Sequence, residues 1–325
     1  MLPAREIYKG DAMKKYDVIA LGEALIDFTA LGKSENGMNI FEQNPGGAPA
    51  NVAVACARLG LETGFIGKVG RDMHGSFIVE TLKNTGVDTS LMLRDEKAFT
   101  TLAFVNIDEK GDRSFSFARH KSADTRLSAD EIDFNALKNT KVLHFGSLSL
   151  TDEPARSATY AAIDAAKKNG AVISYDPNYR ALLWDSEETA KKEMRAPLHL
   201  ADIIKISDEE TELICDTSDI YEAAECLHAK GIKIVIVTLG SKGAFISCSG
   251  ASVTLPPEDA KVVDTTGAGD SFLGGFLYRY IKADLPKAPT EEQLSDFGTF
   301  AGKVAAYCIE HRGAIPAMPT LSDIE

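Results

Sequence analysis

Residues 264–272, Asp-Thr-Thr-Gly-Ala-Gly-Asp-Ser-Phe, have the types and spacing expected of a phosphate-handling turn. Gly267 and Gly269 have no Cβ, so the backbone can approach a ligand closely. A helix beginning here would present unpaired N–H groups and positive dipole potential to an anion. A carboxylate at this place would repel a bound phosphate, so Asp270 suggests a catalytic role beyond the binding of an anion. The amides of Gly267, Ala268 and Gly269 could stabilise a transferring phosphoryl group while Asp270 accepts a proton from the attacking hydroxyl.

A simpler interpretation of the same turn stays open, because an acidic residue in the first turn of a helix also complements the helix dipole without any chemistry. Residues 261–263 predict a strand end before the turn. The helical spacing of the apolar residues after it predicts an amphipathic helix with one buried face: Phe272, Leu273, Phe276, Leu277, Tyr280 and Ile281.

A second glycine-rich stretch spans residues 46–60, Gly-Gly-Ala-Pro-Ala-Asn-Val-Ala-Val-Ala-Cys-Ala-Arg-Leu-Gly. Pro49 near its start and Gly60 at its end predict a helix between them. Asn51 falls in the first turn, close to the backbone of Gly46 and Gly47. It could cap that turn or contact a ligand, and the residues alone allow both.

The rest of the chain supplies a framework for these two turns. Apolar strands at 17–21, 142–145, 172–175, 202–207 and 233–239 are predicted, with helices at 153–169, 220–230 and 291–311. Such alternation predicts a mainly parallel sheet covered on both faces, with ligands at the carboxyl ends of its strands. The polar residues and glycines at those ends are Gly22, Gly146, Asp176, Ser207, Gly240 and Asp264.

Composition and charge exclude several classes of protein. The formal net charge of −13 argues against a nucleic-acid partner. Five cysteines without C-x-x-C spacing predict reduced thiols and a cytoplasmic location. No apolar run reaches the ~18 residues of a membrane-spanning helix, and residues 1–12 lack the apolar region of a secretory signal. The histidines show no zinc-protease spacing.

In residues 264–272 and 46–60 the chain resembles the ribokinase-type carbohydrate kinases, also called the phosphofructokinase B family. The resemblance covers nearly all of the chain after Lys14. It implies an α/β, ribokinase-like three-layer fold with a mainly parallel central sheet and a small β lid. Residues 14–325 would form the kinase domain, with lid strands from about 28–44 and 98–119, preceded by a disordered extension over residues 1–13.

The resemblance also implies roles for individual residues. Asp270 would be the general base, with the amides of Gly267, Ala268 and Gly269 around the phosphoryl group. The sugar would be held by Asp27, Gly46, Gly47, Asn51, Arg119 and Arg180. ATP would be bound by Lys205, Ser207, Glu210, Thr238, Gly240, Lys242, Gly243 and Gly302. Glu210 would order Mg²⁺ through water, and the backbone loop near Asp264 and Thr266 would bind K⁺.

Several departures from the patterns of related kinases favour fructose as the implied substrate. Ribokinases carry a ribose-binding Glu near the position of Ser147, and its absence from this chain argues against ribose. Residues 116–124 are similar to a motif shared by fructokinases and 2-keto-3-deoxygluconate kinases, but Phe117 stands where the latter usually have Tyr. The expected activity is therefore ATP-dependent phosphorylation of fructose, by a phosphotransferase with an alcohol acceptor. The resemblance also implies a homodimer formed through the lid.

Other functions remain open at this point. Arg119 and Arg180 could clamp a keto-acid carboxylate, so 2-keto-3-deoxygluconate kinase is the first alternative, followed by ribokinase or nucleoside kinase. A non-catalytic sugar sensor on the same fold is the rival from another class. An NAD-dependent dehydrogenase is disfavoured because no G-x-G-x-x-G follows the first strand.

Overall fold

The computed structural model describes residues 16–107 and 113–325. The expected disordered extension over residues 1–13 lies outside these residues, as do residues 108–112 within the expected lid segment 98–119. Over the described part of the chain, no helix is both long enough and apolar enough to cross a membrane.

A central sheet organises the described chain, and eight of its strands are hydrogen-bonded in the order β14-β13-β12-β11-β10-β9-β1-β4. All neighbours from β12 to β4 are parallel, whereas β13 and β14 form an antiparallel edge. The strands are β1 (Tyr16–Leu21), β4 (Thr63–Ile66), β9 (Thr140–Gly146), β10 (Val172–Asp176), β11 (Ile203–Ser207), β12 (Ile234–Thr238), β13 (Ala244–Cys248) and β14 (Ala251–Leu255).

Helices cover both faces of this sheet. The protein therefore has three layers, and the apolar core lies between the sheet and the helices on each side. The buried apolar side chains of α1, α8 and α9 pack on one face, and those of α4, α5 and α7 pack on the other. The helices are α1 (Ala48–Arg58), α2 (Met73–Asn84), α3 (Phe134–Leu137), α4 (Ala155–Lys168), α5 (Glu187–Arg195), α6 (Thr211–Cys215), α7 (Ile220–Ala229), α8 (Ala268–Lys282), α9 (Glu291–Ile309) and α10 (Leu321–Ile324). The predicted α/β fold with a mainly parallel central sheet is confirmed.

A second, smaller sheet projects from the carboxyl end of β1 and forms the lid. Its described strands are ordered β3-β2-β7-β8, with β2 antiparallel to β3 and parallel to β7. They are β2 (Leu25–Lys33), β3 (Asn39–Gly46), β7 (Leu102–Ile107) and β8 (Arg113–Ala118). A short parallel pair, β5 (Lys68–Gly70) and β6 (Leu93–Asp95), lies apart from it. Since β2 follows β1 almost directly and β3 runs into α1, the β2–β3 part of the lid is connected to the main sheet at one end and to a helix that covers it at the other.

Helix α8 is the central buried helix, and its predicted apolar face is buried as expected. Two glycines allow neighbouring helices to approach its backbone. A Cβ at Gly274 would overlap Ala55 of α1, and a Cβ at Gly275 would lie 3.0 Å from the Cα of Ala301 in α9. The position of α8, and of its N-terminus, is therefore fixed by close contact on two sides.

The predicted strand end at residues 261–263 is wrong. These residues form a loop, in which the N–H groups of Val263 and Asp264 donate to the carbonyl of Ile309 at the end of α9. Val262 and Val263 are 60% and 53% exposed, so these two apolar residues are not buried as a strand would require. Asp264 consequently does not follow a strand of the parallel sheet.

Candidate active site

A cleft of about 660 Å³ lies between the lid, the first turns of α1 and α8, and the carboxyl ends of the central strands. Its lining combines titratable groups from separate parts of the chain with the glycine turn before α8. The polar and glycine residues that line it include Glu23, Asp27, Gly47, Asn51, Asn178, Arg180, Lys205, Glu209, Asp264, Gly267, Gly269, Asp270 and Arg312. The two glycine-rich stretches, far apart in sequence, thus meet in one cleft.

Asp270 lies in the first turn of α8 and is only 8% exposed. Its Oδ2 accepts a 2.7 Å hydrogen bond from Nδ2 of Asn51. Gly267, the N-cap residue directly before the helix, has a left-handed φ of 81° and no side chain that could cap the first amides. A Cβ at Gly267 would also lie 2.7 Å from that of Ala314, so glycine is required there. This is the geometry of a carboxylate beside a potential anion site.

The electrostatics of the cleft suit a base that works near neutral pH. Burial raises the pKa of Asp270 to about 6, and the nearby carboxylate of Asp176 adds to this rise. The hydrogen bond from Asn51 and the charges of Lys205 and Arg180 act in the opposite direction. A carboxylate with this pKa is ionised at pH 7 and still holds a proton better than an ordinary Asp.

Lys205, in the middle of β11, lies directly beside the glycine turn. Its Nζ would be 2.6 Å from a Cβ at Gly269 and forms a 3.0 Å ion pair with Oδ2 of Asp176. Both partners are buried, at 7% and 2% exposure. Burial alone would lower the pKa of Lys205, but the charges of Asp176, Glu210 and Asp270 together raise it. Lys205 is therefore a fixed positive charge next to the site where a phosphoryl group would lie.

The lid end of the cleft holds Asp27 of β2 and the Gly46–Gly47 turn. A Cβ at Gly46 would overlap Oδ2 of Asp27, so that glycine makes room for the carboxylate. Burial raises the pKa of Asp27 to about 6, and the charge of Arg180 opposes this rise. Arg180 itself is exposed and lines the cleft.

Arg119 lies behind the cleft and does not line it. Its guanidinium is buried and donates to the carboxylate of Asp124 (2.8 Å), the hydroxyl of Thr151 (2.8 Å) and the carbonyl of Leu148 (2.7 Å). Of these partners only Leu148 reaches the cleft. These structural contacts occupy the guanidinium, so we reassign Arg119 from direct substrate contact to support of the cleft wall.

Ser207 and Glu210 form a capping box at the end of β11. The N–H and hydroxyl of Ser207 donate to Oε2 of Glu210 at 2.8 and 3.2 Å, and the N–H of Tyr179 donates to Oε1 at 2.7 Å. Both oxygens of Glu210 therefore accept backbone hydrogen bonds, and Glu209 is the neighbour that lines the cleft. Thr238 pairs with Ser207 in the β11–β12 register and lies at the same sheet edge.

The remaining expected nucleotide residues lie beyond the cleft lining. Gly240 and Lys242 are exposed in the turn after β12. A Cβ at Gly243 would overlap the carbonyl of Leu255, so this glycine is explained by packing. Gly302 on α9 faces Glu258 of the 256–267 loop, where a Cβ would lie 3.2 Å from Cγ.

Asp264 ties the glycine turn to the C-terminal segment. Its Oδ1 accepts from the N–H (3.0 Å) and hydroxyl (2.7 Å) of Thr266, and its Oδ2 accepts from the N–H of Gly313 (3.1 Å). Within the described residues, no group of three or more His, Cys, Asp or Glu side chains could hold a metal ion.

The sequence interpretation named Asp176 only as a polar residue at a strand end, and it assigned no role to Glu23 or Arg312. Glu23 could have been found by the same criterion, because it is an acidic residue just after a buried strand. Arg312 carries no comparable signal, since it lies in an irregular segment after α9.

Comparison with known proteins gives consistent matches. The model described as "pfkB family carbohydrate kinase" matches residues 15–321. "Probable fructokinase-6, chloroplastic" of Arabidopsis thaliana is 42% identical over 316 residues, covering 96% of this chain and 82% of that protein. A fructokinase from Xylella fastidiosa with bound ATP superposes with a TM-score of 0.88 at 33% identity, covering 95% of this chain and 97% of that one.

Fructokinase from Vibrio cholerae O395 superposes with a TM-score of 0.84. Its fructose-, ADP- and calcium-bound form is 33% identical, covering 95% of this chain and 99% of that one. A double mutant of the same fructokinase, with fructose, ADP and potassium bound, is 32% identical, covering 95% of this chain and 98% of that one.

Proposed function

The chain belongs to the pfkB family of carbohydrate kinases, and from this premise we propose that it is an ATP-dependent fructokinase. It would transfer the γ-phosphoryl group of ATP to the primary hydroxyl of D-fructose, giving fructose 6-phosphate and ADP. The proposal rests on one observation above all. Asp270 lies in the cleft beside a glycine turn at a helix N-terminus, where Asn51 holds one carboxylate oxygen at 2.7 Å.

Each group in the cleft has a distinct part in this reaction. Asp270 would accept the proton of the attacking hydroxyl as the new O–P bond forms and the bond to the ADP oxygen breaks. The amides of Gly267, Ala268 and Gly269, together with Nζ of Lys205, would stabilise the negative charge on the transferring group. Catalysis of this kind depends mainly on positioning and on fixed charges.

The sugar would bind between the lid and the first turn of α1. Asp27 can accept hydrogen bonds from sugar hydroxyls, and Gly46 and Gly47 allow the ring to approach the backbone. Asn51 and Arg180 complete this end of the site. Because β2 and β3 form part of the lid and also lead into these residues, closure of the lid over the sugar would exclude water and limit ATP hydrolysis.

ATP with a divalent cation fits the nucleotide side of the cleft, and we propose Mg²⁺ as that cation. Mg²⁺ is usually held by phosphates and water with few protein ligands, which agrees with the finding that no group of three or more His, Cys, Asp or Glu side chains among the described residues could hold a metal ion by itself. Glu210 and Glu209 would be its outer contacts, and the cation would neutralise phosphate charge. For K⁺, the loop carrying Asp264 and Thr266 is the candidate site, because Asp264 already orders that loop against Gly313.

A panel of acceptors with ATP tests the assignment of the sugar. We expect kcat/KM for D-fructose to exceed that for 2-keto-3-deoxygluconate, ribose and adenosine by at least ~10²-fold, because a site built to bind specific hydroxyl groups rejects analogues that leave its polar groups unpaired. Coupled measurement of ADP release gives these constants. A higher value for 2-keto-3-deoxygluconate would transfer the assignment to the keto-acid kinases, with Arg180 binding the carboxylate. Ligand binding without ADP production would indicate a sugar sensor.

We further propose that the protein is a homodimer joined through the lid. Asp27, Thr29 and Val105 face the cleft, so the alternate residues of β2 and β7 face outward. Phe28 and Phe104 stack there with ring centroids 5.2 Å apart, and Phe41 contacts Phe104 edge-on at 6.0 Å. Leu31, Met38 and Ile40 are further exposed apolar residues of the β2–β3 hairpin. An exposed aromatic cluster of this kind is typical of a subunit interface.

Phe104→Glu tests the interface. We expect the wild type to sediment with twice the chain mass of 35.0 kDa, and the variant to shift toward that of one chain, because a charge would be buried without a partner. Phe99→Glu is the matched control, since Phe99 is 75% exposed and lies outside the lid strands. A wild type that is monomeric at all concentrations, or equal effects of both changes, would contradict this interface.

We propose a cytoplasmic location without a nucleic-acid or membrane partner. Each of the cysteines lies in the described residues and is a free thiol, as in a reducing compartment. Fractionation of the source cells tests the compartment, and recovery in an organelle, as the name of one plant relative indicates for that protein, would refute it.

A further inference from the structure

Glu23 is a buried carboxyl group that the proposed chemistry does not use. It follows β1 at the carboxyl end of the strand, lines the cleft and is only 3% exposed. Its Oε1 accepts a 3.0 Å hydrogen bond from the N–H of Ala48. Its Oε2 is buried and has no hydrogen-bond partner among the described residues. Burying a carboxyl group in this way is costly, so a compensating role is expected.

The contact to Ala48 replaces a cap that α1 lacks. Gly47 stands at the N-cap position with a φ of 107° and has no side chain to bond the first amides, and the first turn contains no acidic residue. Glu23 therefore caps the helix from the neighbouring connection between β1 and β2. The same residue also contacts the turn through its backbone, because a Cβ at Gly47 would overlap the carbonyl of Glu23.

The capped turn places Asn51 next to Asp270, the proposed base. The N–H of Asn51 donates to the carbonyl of Gly47 at 2.8 Å, which makes Asn51 part of the first helical turn. Its side chain then donates to Oδ2 of Asp270 at 2.7 Å, across 219 residues of sequence. On the basis of the proposed function, we propose that Glu23 is a positioning residue for phosphoryl transfer. It holds the first turn of α1, and through that turn Asn51, against Asp270.

The charge state of Glu23 supports this role and suggests a conservative replacement. Burial raises the pKa of Glu23 to about 7, with Arg119 opposing the rise and Asp124 adding to it. A protonated carboxyl group still offers Oε1 as an acceptor to Ala48, so the cap holds in either state. Gln has the same shape and the same acceptor without the charge, and it should therefore replace Glu23 in positioning.

The test compares Glu23→Ala with Glu23→Gln in the full chain, using kcat and the pH profile of kcat/KM for phosphorylation of D-fructose by MgATP. Burial raises the pKa of Asp270 most, and four neighbouring groups modify it: Asp176, Asn51, Lys205 and Arg180. In the wild type we expect kcat/KM to fall as pH drops through about 6, as Asp270 becomes protonated. Loss of the Asn51 hydrogen bond would raise the pKa of Asp270 and move this acid limb to higher pH.

For Glu23→Ala we expect kcat to fall ~10-fold or more, because the base and its partner are no longer held in register. The apparent pKa of the acid limb should rise by roughly half a unit to one unit. Glu23→Gln should restore most of the lost kcat and return the limb to its wild-type position. A purely structural role would lower the amplitude of the profile at every pH without moving the limb.

A double variant tests whether Glu23 acts through Asn51. If it does, Glu23→Ala adds little to Asn51→Ala, whereas independent roles predict that the two fold-losses multiply. Asp219→Ala is the control, because Asp219 caps α7 far from the cleft by accepting from the N–H of Tyr221 at 2.8 Å, and its loss should leave kcat and the limb unchanged. An unmoved limb or multiplying losses would overturn the inference. If Asp270→Asn nevertheless abolishes turnover, the proposed function survives that failure.

Discussion

Replacement of Asp270 by Asn is expected to lower kcat for fructose phosphorylation by ~10²- to 10⁴-fold, the usual strength of general-base catalysis. The amide has the same shape, so its oxygen can still accept from Asn51 at the position now taken by Oδ2. What is lost is the ability to take the proton of the attacking hydroxyl. The variant should therefore bind sugar and ATP with affinities close to those of the wild type, which calorimetry can measure.

The control for this change is Asp219→Asn, which removes a carboxylate from an exposed helix cap remote from the cleft. It should leave kcat within about twofold of wild type, as expected for a surface substitution away from the site. A near-normal rate in Asp270→Asn would remove Asp270 from the role of base. A loss of binding as large as the loss of kcat would indicate that the carboxylate serves mainly to hold ligand.

Replacement of Lys205 by Met is expected to affect stability and turnover together. It leaves the buried carboxylate of Asp176 without its 3.0 Å partner, and breaking a buried ion pair on one side costs about 3–5 kcal/mol. It also removes the fixed positive charge beside Gly269, so kcat should fall ~10²-fold or more even in the folded fraction. Urea denaturation and kcat measured well below the unfolding midpoint separate the two effects.

The double variant Lys205→Met with Asp176→Asn distinguishes the two contributions. Neutralising Asp176 removes the unpaired buried charge, so much of the lost stability should return. The kcat should stay low, because the cation near the phosphoryl group is still missing. Recovery of kcat together with stability would show that Lys205 acts only as a structural partner of Asp176.

The parts of this protein that a sequence can reveal are those that depend on local pattern. Helix α8 was predictable because its apolar residues recur at helical spacing, and the parallel strands because they form short apolar runs ending in glycine or polar residues. The same criterion failed at residues 261–263. Two valines suggested a strand, but these residues pair with the end of α9 through one carbonyl and leave both valine side chains exposed.

The contacts that define the site depend on tertiary register and could not be predicted in this way. Nothing in the sequence indicates that Asn51 should meet Asp270, or that Lys205 should lie against Gly269. Arg119 illustrates the converse case. The family resemblance implied that it binds the sugar, but the fold gives its guanidinium three partners inside the protein.

The glycine pair in α8 has a practical meaning for anyone who wishes to alter the acceptor by directed evolution. Gly274 and Gly275 let α1 and α9 approach the helix that bears Asp270, the proposed base, so almost any larger residue there would shift Asp270 itself. A library that varies the cleft-facing positions of the lid, such as Thr29 and Val105, and leaves this pair untouched would explore new acceptors without disturbing the chemistry that every acceptor must share.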